Sequence, residues 1–193
     1  MLIEFRFKNY RSFRDEAVLS MEAVGLSSFK KSLIEQNKMK LLPGAAIYGK
    51  NGGGKSNVIR AFWLGVQFIR NAQRIQHEKA SMPVVPFLLD DYSANNPTEF
   101  AFDYIADGIK YWYSFEATKE KIIRESLYHA PKGQKALVFS REQQKFNFTE
   151  DKARRKLISE TVAENQLFFS VACTMNDAVC TKAMKWFRED IFF

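Results

Sequence analysis

The first residues of the chain alternate apolar and charged side chains, the pattern of a β-strand with one buried face. Ile3, Phe5 and Phe7 are the apolar positions, and a second short strand is predicted at Ala17 to Met21. Together these segments predict an opening β-hairpin. Residues 22 to 42 are polar and mixed, and they allow a short helix.

A strand followed by a helix is predicted next. The turn Pro43-Gly44 precedes the apolar run Ala45 to Tyr48, which predicts a buried strand. The following segment repeats apolar residues at helical spacing. Its predicted core-facing positions are Val58, Phe62, Val66 and Ile69.

An antiparallel meander of about four or five strands is predicted in the middle of the chain. The stretch EFAFDYIADGIKYWYSFEA alternates aromatic side chains on both sides of Asp107-Gly108, a dipeptide typical of tight hairpin turns. The alternating positions are Phe100, Phe102, Tyr104, Tyr111, Tyr113 and Phe115. Further strands are predicted at Lys121 to His129, Ala136 to Arg141 and Lys145 to Phe148.

Helices are predicted from about Thr149 to the end of the chain. Thr149 is a candidate N-cap, and the helix that it would open contains the densest basic cluster, KARRK at Lys152 to Lys156. The cluster has two interpretations. It is either a solvent-exposed helix face or a contact for nucleic acid.

The stretch GKNGGGKSN, between the predicted strand and helix, carries the clearest chemical signal. The pattern G-x-x-x-x-G-K-[ST] is filled by Gly49, Gly54, Lys55 and Ser56. Successive N–H groups of such a loop form a concave anion site, and the following helix directs its positive end at the same point. Lys55 adds a positive charge for the β- and γ-phosphates, and the Ser56 hydroxyl is placed to bind Mg²⁺. The stretch therefore predicts a nucleoside triphosphate site.

Composition indicates a globular protein. Of 193 residues, 46% are hydrophobic and 15% aromatic, which is enough for a substantial core. The formal charge of +7 suits a polyanionic partner and equally suits a nucleotide. The sequence contains no membrane-span pattern and no secretion signal, so we expect a cytoplasmic protein without membrane contact.

The cysteines and histidines carry little chemical signal. Cys173 and Cys180 could share one helical face, and we expect core thiols rather than a disulfide or a ligand pair. His77 and His129 stand apart from any nucleophile motif or metal-ligand spacing, so we assign them no chemistry.

Hydrolysis needs an acid in addition to a phosphate loop, usually an aspartate that closes an apolar strand. The candidate is VVPFLLDD, which ends at Asp90 and Asp91, but Pro86 inside the run favours a loop. The terminal Ile191, Phe192 and Phe193 look exposed and predict a neighbouring surface. We therefore expect the amino-terminal part of a longer ATPase, or pairing with another chain.

The chain resembles the ATP-binding cassette-type ATPases of the RecF and structural-maintenance-of-chromosomes group, and most of all the AAA-family ATPases related to overcoming-lysogenization-defect proteins. The resemblance covers essentially the whole chain. It is carried by FKNYRSF, VLSMEA, IYGKNGGGKSNVIRAF, VPFLLD, TEFAFDYIADGIKYWYSFE and ENQLFFSVA.

The resemblance implies ATP and Mg²⁺ as cofactors and a specific set of binding residues. Those that match the phosphate loop are Gly49, Asn51, Gly52, Gly54, Lys55, Ser56 and Asn57, and Gly53 stands where a serine is frequent. Arg11 matches an arginine that lies near the nucleotide in such heads, and Ser12 and Phe13 would flank the base. A surface arginine is the alternative interpretation of Arg11. VPFLLD falls where a lid loop normally supplies a glutamine to Mg²⁺, and this sequence has no glutamine there.

The expected fold class is α/β, a P-loop NTPase of the ATP-binding cassette type, first lobe, with an antiparallel β-subdomain and carboxy-terminal helices. The predicted parts are the P-loop core at residues 1–81, a lid-like loop and β-subdomain at 82–148, and a helical segment at 149–193 that leads towards a second lobe. In such proteins that lobe carries the signature motif and the acid-ended strand, and two heads enclose two ATP molecules.

Three functional hypotheses follow. The leading one is an ATP-driven switch, in which two heads close on Mg-ATP and act on DNA or on an effector such as a nuclease, in DNA repair or antiphage defence. The second is a module that binds nucleotide or a partner without autonomous hydrolysis. The third, a kinase or GTPase, is disfavoured because the guanine-reading N-K-x-D motif is absent and antiparallel aromatic strands follow the loop.

Overall fold

An antiparallel sheet of seven strands dominates the part of the protein that the structure describes. The computed structural model describes residues 1–25, 30–71 and 82–192. In chain order its strands are β1 (Leu2–Lys8), β2 (Ala17–Ser20), β3 (Ile34–Gln36), β4 (Met39–Leu41), β5 (Thr98–Ala106), β6 (Ile109–Ala117), β7 (Ile122–Ala130), β8 (Ala136–Glu142) and β9 (Lys145–Phe148). The sheet order is β2-β1-β5-β6-β7-β8-β9, and β3 pairs with β4 as a separate hairpin.

The predicted hairpins are confirmed. β1 pairs antiparallel with β2, and the five later strands form a continuous meander. The turn between β5 and β6 has two residues, Asp107 with φ 48° and Gly108 with φ 77°. Left-handed backbone at both positions is what a type I′ turn requires, and this turn twists in the same sense as the strands that it joins.

Helices cover one face of the sheet. They are α1 (Lys55–Asn71), α3 (Lys152–Ser159), α4 (Phe168–Thr174) and α5 (Ala178–Lys185), and a π-helical turn, Trp186–Asp190, continues α5. The one-turn helix α2 (Asp91–Ala94) instead lies beside the end of β1, near Lys8 and Glu99. The predicted core face of α1 is confirmed, because Val66 and Ile69 are buried and Val58 and Phe62 pack against the core. α1 contacts α4 and the π-helical turn, so these elements form one layer.

Aromatic side chains fill the space between the sheet and the helices. All the positions predicted from the alternation of β5 and β6 are buried, as are Ile3, Phe5 and Phe7 of β1. Phe102 lies 4.9 Å from Phe5 and 5.3 Å from Phe187, measured between ring centroids. Offset and edge-to-face contacts at such distances add to the free energy gained by burying the rings.

A buried carboxylate ties the helical layer to the sheet. Glu125 of β7 accepts hydrogen bonds from the Tyr113 hydroxyl at 2.9 Å and from the backbone N–H groups of Phe168 and Phe169 at 2.8 and 2.9 Å. Arg141 lies 3.6 Å away and balances its charge. Burial raises the pKa of Glu125, while Arg141 and the N–H donors oppose that rise.

The basic cluster KARRK is divided by the fold. Arg155 is buried and pairs with Asp177 at 2.8 Å, whereas Arg154 donates to the carbonyl groups of Met175 and Asn176. Lys152 and Lys156 remain exposed. The prediction of a solvent-exposed face is therefore right for the lysines and wrong for Arg155, which joins α3 to the start of α5.

The predicted buried strand Ala45 to Tyr48 is wrong for this structure. This run pairs with none of the described strands, and Tyr48 is 90% exposed. A strand buried on both faces needs hydrogen-bonded neighbours on both sides. The described sheet is entirely antiparallel, and neither of its edge strands, β2 and β9, pairs with this run.

Several local predictions are also corrected. Thr149 is not a cap, because its hydroxyl donates to the Leu137 carbonyl and α3 follows Asp151 instead. In the described parts of residues 22 to 42, a short 3-10 helix at Lys30–Ser32 agrees with the allowance for a short helix, whereas the β3–β4 hairpin was not predicted. Ile191 is buried rather than exposed, Phe192 is exposed as expected, and Phe193 lies outside the described residues.

We predict that Asp177→Asn destabilises the protein by about 3 kcal/mol at neutral pH, because it leaves the buried Arg155 without its counter-charge. Asparagine keeps the helix-capping acceptor, so the loss reports the charge. Hydrogen bonds from Arg155 and Cys180 outweigh burial and lower the pKa of Asp177 below its usual 3.8. The stabilisation is therefore present above about pH 4 and is lost as pH falls through the folded-state pKa.

Urea unfolding across a pH series checks this prediction. Asp107→Asn is the matched control, because Asp107 forms an exposed ion pair with Lys185 and exposed pairs contribute about 0 to 1 kcal/mol. Equal losses in the two variants, or a difference that does not shrink at low pH, would contradict the assignment.

Candidate nucleotide-binding site

The glycine-rich loop has a backbone that only glycine adopts easily at two positions. Gly52 and Gly54 have φ of 80° and 86°, in the left-handed region. A Cβ on Gly53 would lie 3.0 Å from the Lys50 carbonyl oxygen, so this position also requires a small residue. α1 begins directly after the loop, and in its first turn the N–H groups of Asn57 and Val58 donate to the Gly54 carbonyl at 2.8 and 3.2 Å. The positive end of the helix dipole therefore lies at the loop.

Lys55 folds back over the loop that precedes it. Its Nζ donates to the carbonyl oxygens of Gly49 at 2.6 Å and Lys50 at 2.8 Å. The ammonium group of Lys55 therefore lies against the first two residues of the loop, Gly49 and Lys50. Ser56 is exposed at the first turn of α1, and Asn51 is exposed in the loop.

The turn after β1 packs against the end of the loop. The Asn57 side-chain amide donates to the Ser12 hydroxyl at 2.8 Å. A Cβ on Gly54 would lie 3.0 Å from the Phe13 ring and 3.4 Å from the Ser12 hydroxyl. The structure thus brings Ser12, Phe13 and Asn57 together at the loop, where the sequence predicted that Ser12 and Phe13 would flank a base.

Asn9 joins this turn to α2 and to the irregular segments on both sides of it. Its side-chain Nδ2 donates to the carbonyl groups of Ser93, Asn96 and Pro97 at 2.8 to 3.1 Å, and its Oδ1 accepts from the Phe87 N–H at 2.9 Å. Asn9 is 4% exposed and has φ of 53°, a backbone region that asparagine tolerates better than most residues. The pattern FKNYRSF contains Asn9 but does not predict this role, because the partners of its side chain are distant in sequence.

Arg11 lies on the exposed tip of the same turn. Its backbone N–H donates to the Val85 carbonyl at 2.9 Å, and its Nε donates to the Tyr10 hydroxyl at 3.1 Å. The guanidinium carbon lies 5.6 Å from the centre of the Tyr10 ring. Arg11 is thus two residues from the ring that contacts Gly54, and its contact with a nucleotide stays a prediction.

Asp90 and Asp91 do not close a strand, which confirms the interpretation of VVPFLLDD as a loop. Asp90 instead caps α2 and accepts from the Ser93 N–H at 2.6 Å and the Ser93 hydroxyl at 3.1 Å. The backbone hydrogen bond from Ser93 is the main reason that the pKa of Asp90 is lowered. Its carboxylate is therefore already committed to a structural role.

The cysteines and His129 show no site chemistry. Cys173 and Cys180 are free and buried as predicted, although they lie on α4 and α5 rather than on one helix. His129 is half-buried beside Tyr111, and burial lowers its pKa. His77 lies outside the described residues. Within those residues no group of three or more His, Cys, Asp or Glu side chains could hold a metal.

The loop fits the phosphates of a nucleotide. Its narrow glycine backbone, the start of α1 and the Lys55 ammonium group converge at one place, and together they favour an anion. The Ser56 hydroxyl is an oxygen ligand of the kind that Mg²⁺ prefers when phosphates supply the other oxygens. These residues define a P-loop domain that is suited to a nucleoside polyphosphate.

Comparison with protein families identifies the domain further. The family described as "AAA domain, putative AbiEii toxin, Type IV TA system" matches residues 45–189, from just before the glycine loop to the π-helical turn. The chain belongs to this family of AAA-type domains, which indicates a nucleotide-binding ATPase domain of the P-loop type. No curated protein matches the chain. Among the described residues no helix has the length and apolar character needed to cross a membrane.

We predict that Gly54→Ala weakens Mg-ATP binding at least about tenfold, which corresponds to about 1.4 kcal/mol. The added methyl group strains a left-handed backbone and displaces the Phe13 ring from the loop. Gly133→Ala is the matched control, since Gly133 has φ of 84° and open space around it. Titration calorimetry measures binding, and wild-type affinity in Gly54→Ala would refute the prediction.

We also predict that Asn9→Asp destabilises the protein by about 3 kcal/mol, because a buried carboxylate would face carbonyl oxygens that have lost their donor. Asn37→Asp is the control: Asn37 also has a left-handed backbone, with φ of 50°, and makes one exposed hydrogen bond to Gly108. Urea unfolding measures stability, and limited proteolysis tests whether residues 82–90 become accessible. Similar losses in both variants would show that Asn9 has no special role.

Proposed function

We propose that this protein is a Mg-ATP-binding head that acts as a dimerising conformational switch. The observation that supports the proposal best is the convergence of the glycine loop, the start of α1 and the Lys55 ammonium group beside the turn that contains Ser12 and Phe13. An isolated anion site would not need this second wall. A nucleotide does, because its base and sugar extend away from the phosphates.

Each residue of the site has a proposed role. The N–H groups of Gly52 and Gly54 bind the phosphate oxygens, and Gly53 exchanges the Lys50 carbonyl, to which its N–H donates at 3.1 Å, for the same ligand. Lys55 likewise exchanges its carbonyl partners for the β- and γ-phosphates. The Ser56 hydroxyl would hold Mg²⁺, which neutralises phosphate charge when it is bound. Gly49, Asn51 and Asn57 shape the loop, and Arg11 reaches the nucleotide from the neighbouring turn.

A switch requires an element that senses the nucleotide, and the segment at residues 82–90 is suited to that task. It is hydrogen-bonded to the phosphate-site turn through the Arg11 N–H and the Asn9 side chain. A shift of the turn upon binding would therefore be transmitted to this segment. To change the population of open and closed heads, nucleotide must bind one of the two forms more tightly.

The remainder of the catalytic site is proposed to come from another lobe or from a second copy. Ile47 and Tyr48 are exposed immediately before the loop, and Ile59 and Trp63 are exposed on α1. Apolar groups at these positions suit an additional surface that completes the site. The resemblance to RecF, structural-maintenance-of-chromosomes and overcoming-lysogenization-defect ATPases suggests closure of two heads, with DNA or an effector such as a nuclease as the target, in DNA repair or antiphage defence.

A second function, nucleotide binding without autonomous hydrolysis, is favoured by one observation. Asp90 belongs to the acid pair that ends the apolar run VVPFLLDD, which is the candidate for the catalytic acid. Its carboxylate is used instead to cap α2. If no other acid orients the attacking water, the chain holds the nucleotide without cleaving it.

Binding and turnover of Mg-ATP, measured over a protein concentration series, distinguish these functions. We predict that Lys55→Ala weakens binding by about tenfold or more, because it removes the mobile charge of the loop. Lys50→Ala is the control, since Lys50 lies in the same loop and its backbone rather than its side chain contacts Lys55. A rate per head that rises with concentration would support dimerisation.

The outcomes separate clearly. Turnover that Lys55→Ala abolishes supports the switch, whereas tight binding without turnover supports the binding module. Absence of binding in the wild-type chain, or equal binding in the two lysine variants, contradicts both functions.

A further inference from the structure

The outer face of the sheet, opposite the helices, carries two aromatic side chains on neighbouring strands. Trp112 of β6 lies opposite Tyr128 of β7 in the strand register, and both are half-buried. Lys135 places its Nζ 4.8 Å from the centre of the Trp112 ring and 4.6 Å from that of Tyr128. The Nζ of Lys110 lies 4.9 Å from the Trp112 ring. We call these four residues the aromatic–lysine patch.

The lysines of the patch are not neutralised by direct partners. In the part of the chain that the structure describes, neither Lys110 nor Lys135 forms an ion pair with a carboxylate. Asp103 interacts with both through space, but its carboxylate is bonded to Arg6 at 3.0 Å. The ammonium groups therefore rest on aromatic rings and remain available to an anion.

A third cation lies at the edge of the patch. The β3–β4 turn is held there because Asn37 donates to the Gly108 carbonyl at 2.9 Å and Lys110 contacts the sulfur of Met39 at 3.7 Å. Lys38 lies between these two residues and is exposed. This turn, which the sequence pattern did not predict, thus places an exposed lysine next in sequence to the residue that contacts Lys110.

A shallow trough runs across the sheet next to the rings. Its floor is a row of small residues in register, Ala101, Ser114, Ser126 and Ser140. The depression measures about 260 Å³, and its lining carries both signs of charge, with Arg6 and Arg124 beside Glu16, Glu99 and Glu116. Arg6 and Arg124 are each paired with carboxylates, so the positive charge that is available to an anion lies at the lysines of the patch. The backbone of an extended polymer could lie along this row of small residues. Its side groups would then reach the rings of Trp112 and Tyr128.

We propose that the aromatic–lysine patch binds single-stranded nucleic acid. Bases can replace the ammonium groups on the faces of Trp112 and Tyr128, and the displaced lysines can then pair with phosphates. A duplex would not use the rings, because its base faces are stacked internally. An acidic peptide could use the lysines, but its carboxylates gain nothing from the exposed ring faces.

The fold argues against the other basic cluster as the site of such binding. Arg155 and Arg154 of KARRK are engaged in internal contacts, which leaves Lys152 and Lys156 on the surface of α3. These two lysines supply a matched charge control. They are exposed and belong to a different element. Phe146 and Phe148 line the same depression as these lysines, but among the described residues neither lysine lies over an aromatic ring.

The experiment measures the fluorescence anisotropy of labelled oligo(dT) and oligo(U), each of about 20 nucleotides, with the full chain in the absence of ATP. We expect Trp112→Ala and the double variant Lys110→Glu/Lys135→Glu to weaken binding by about tenfold or more. The double variant Lys152→Glu/Lys156→Glu changes charge equally and should bind about as tightly as the wild type. Trp112→Phe, which keeps an aromatic ring, should retain most of the affinity.

Stacking has its own signature. In a Trp63→Phe background, the emission that oligonucleotide quenches should come from Trp112, since Trp186 is buried in the core. A preference for oligo(U) or for oligo(dT) would identify the sugar. Lys55→Ala should not change the affinity, so this site and the nucleotide site can fail independently.

The contrary results are equally definite. Unchanged affinity in folded Trp112→Ala and Lys110→Glu/Lys135→Glu, verified by thermal unfolding, would overturn the proposal. Loss only in Lys152→Glu/Lys156→Glu would assign binding to α3. Equal or tighter binding of duplex DNA or of poly-glutamate would exclude base stacking as the basis of recognition, and poly-glutamate binding would indicate an acidic protein as the partner.

Discussion

Burial of the aromatic inner face of the sheet is the constraint on which the remainder of the structure depends. Side chains alternate along each strand, so a shift of one residue in register would turn the whole aromatic set towards solvent. Large rings at Phe5, Phe102 and Tyr113 lie in adjoining strands, and α1, α4 and α5 cover them. Because the cover is needed along most of the sheet, the positions of these helices follow from the register.

The nucleotide site inherits its geometry from that packing. Val66 and Ile69 anchor the body of α1 in the core, so the start of the same helix is held at a fixed place beside β1. The turn after β1 then meets the glycine loop through Phe13, and Asn9 fastens the next segment to the turn. The turn after β1, the glycine loop and the segment before α2 are far apart in sequence, and they thereby form one continuous surface at the site.

Much of this arrangement could be predicted from the sequence, because it depends on local patterns. Strand alternation, the Asp107-Gly108 turn, the spacing in α1 and the glycine pattern each have a direct physical reading, and the structure confirms the elements. The remainder depends on partners distant in sequence. Arg155 reads as a surface charge until Asp177 is placed beside it, and Asn9 reads as a turn residue until four distant backbone groups surround its amide.

The prediction for Ala45 to Tyr48 failed for a related reason. Apolar composition shows that a segment prefers burial, but hydrogen-bonded neighbours decide whether it becomes a strand. The described sheet supplies them to β1 through β5 and to β6 through β7, and it supplies none to this run. The same run leads into the phosphate loop, so its environment is coupled to the geometry of the site.

The internal bonds of Lys55 have a consequence for kinetics. The ammonium group already has two oxygen partners in the loop, at 2.6 and 2.8 Å. An arriving phosphate therefore substitutes one set of acceptors for another, and no folding event has to precede the encounter. The association rate constant is then set by diffusion and electrostatic attraction. Differences in affinity between ligands therefore come mainly from their dissociation rate constants.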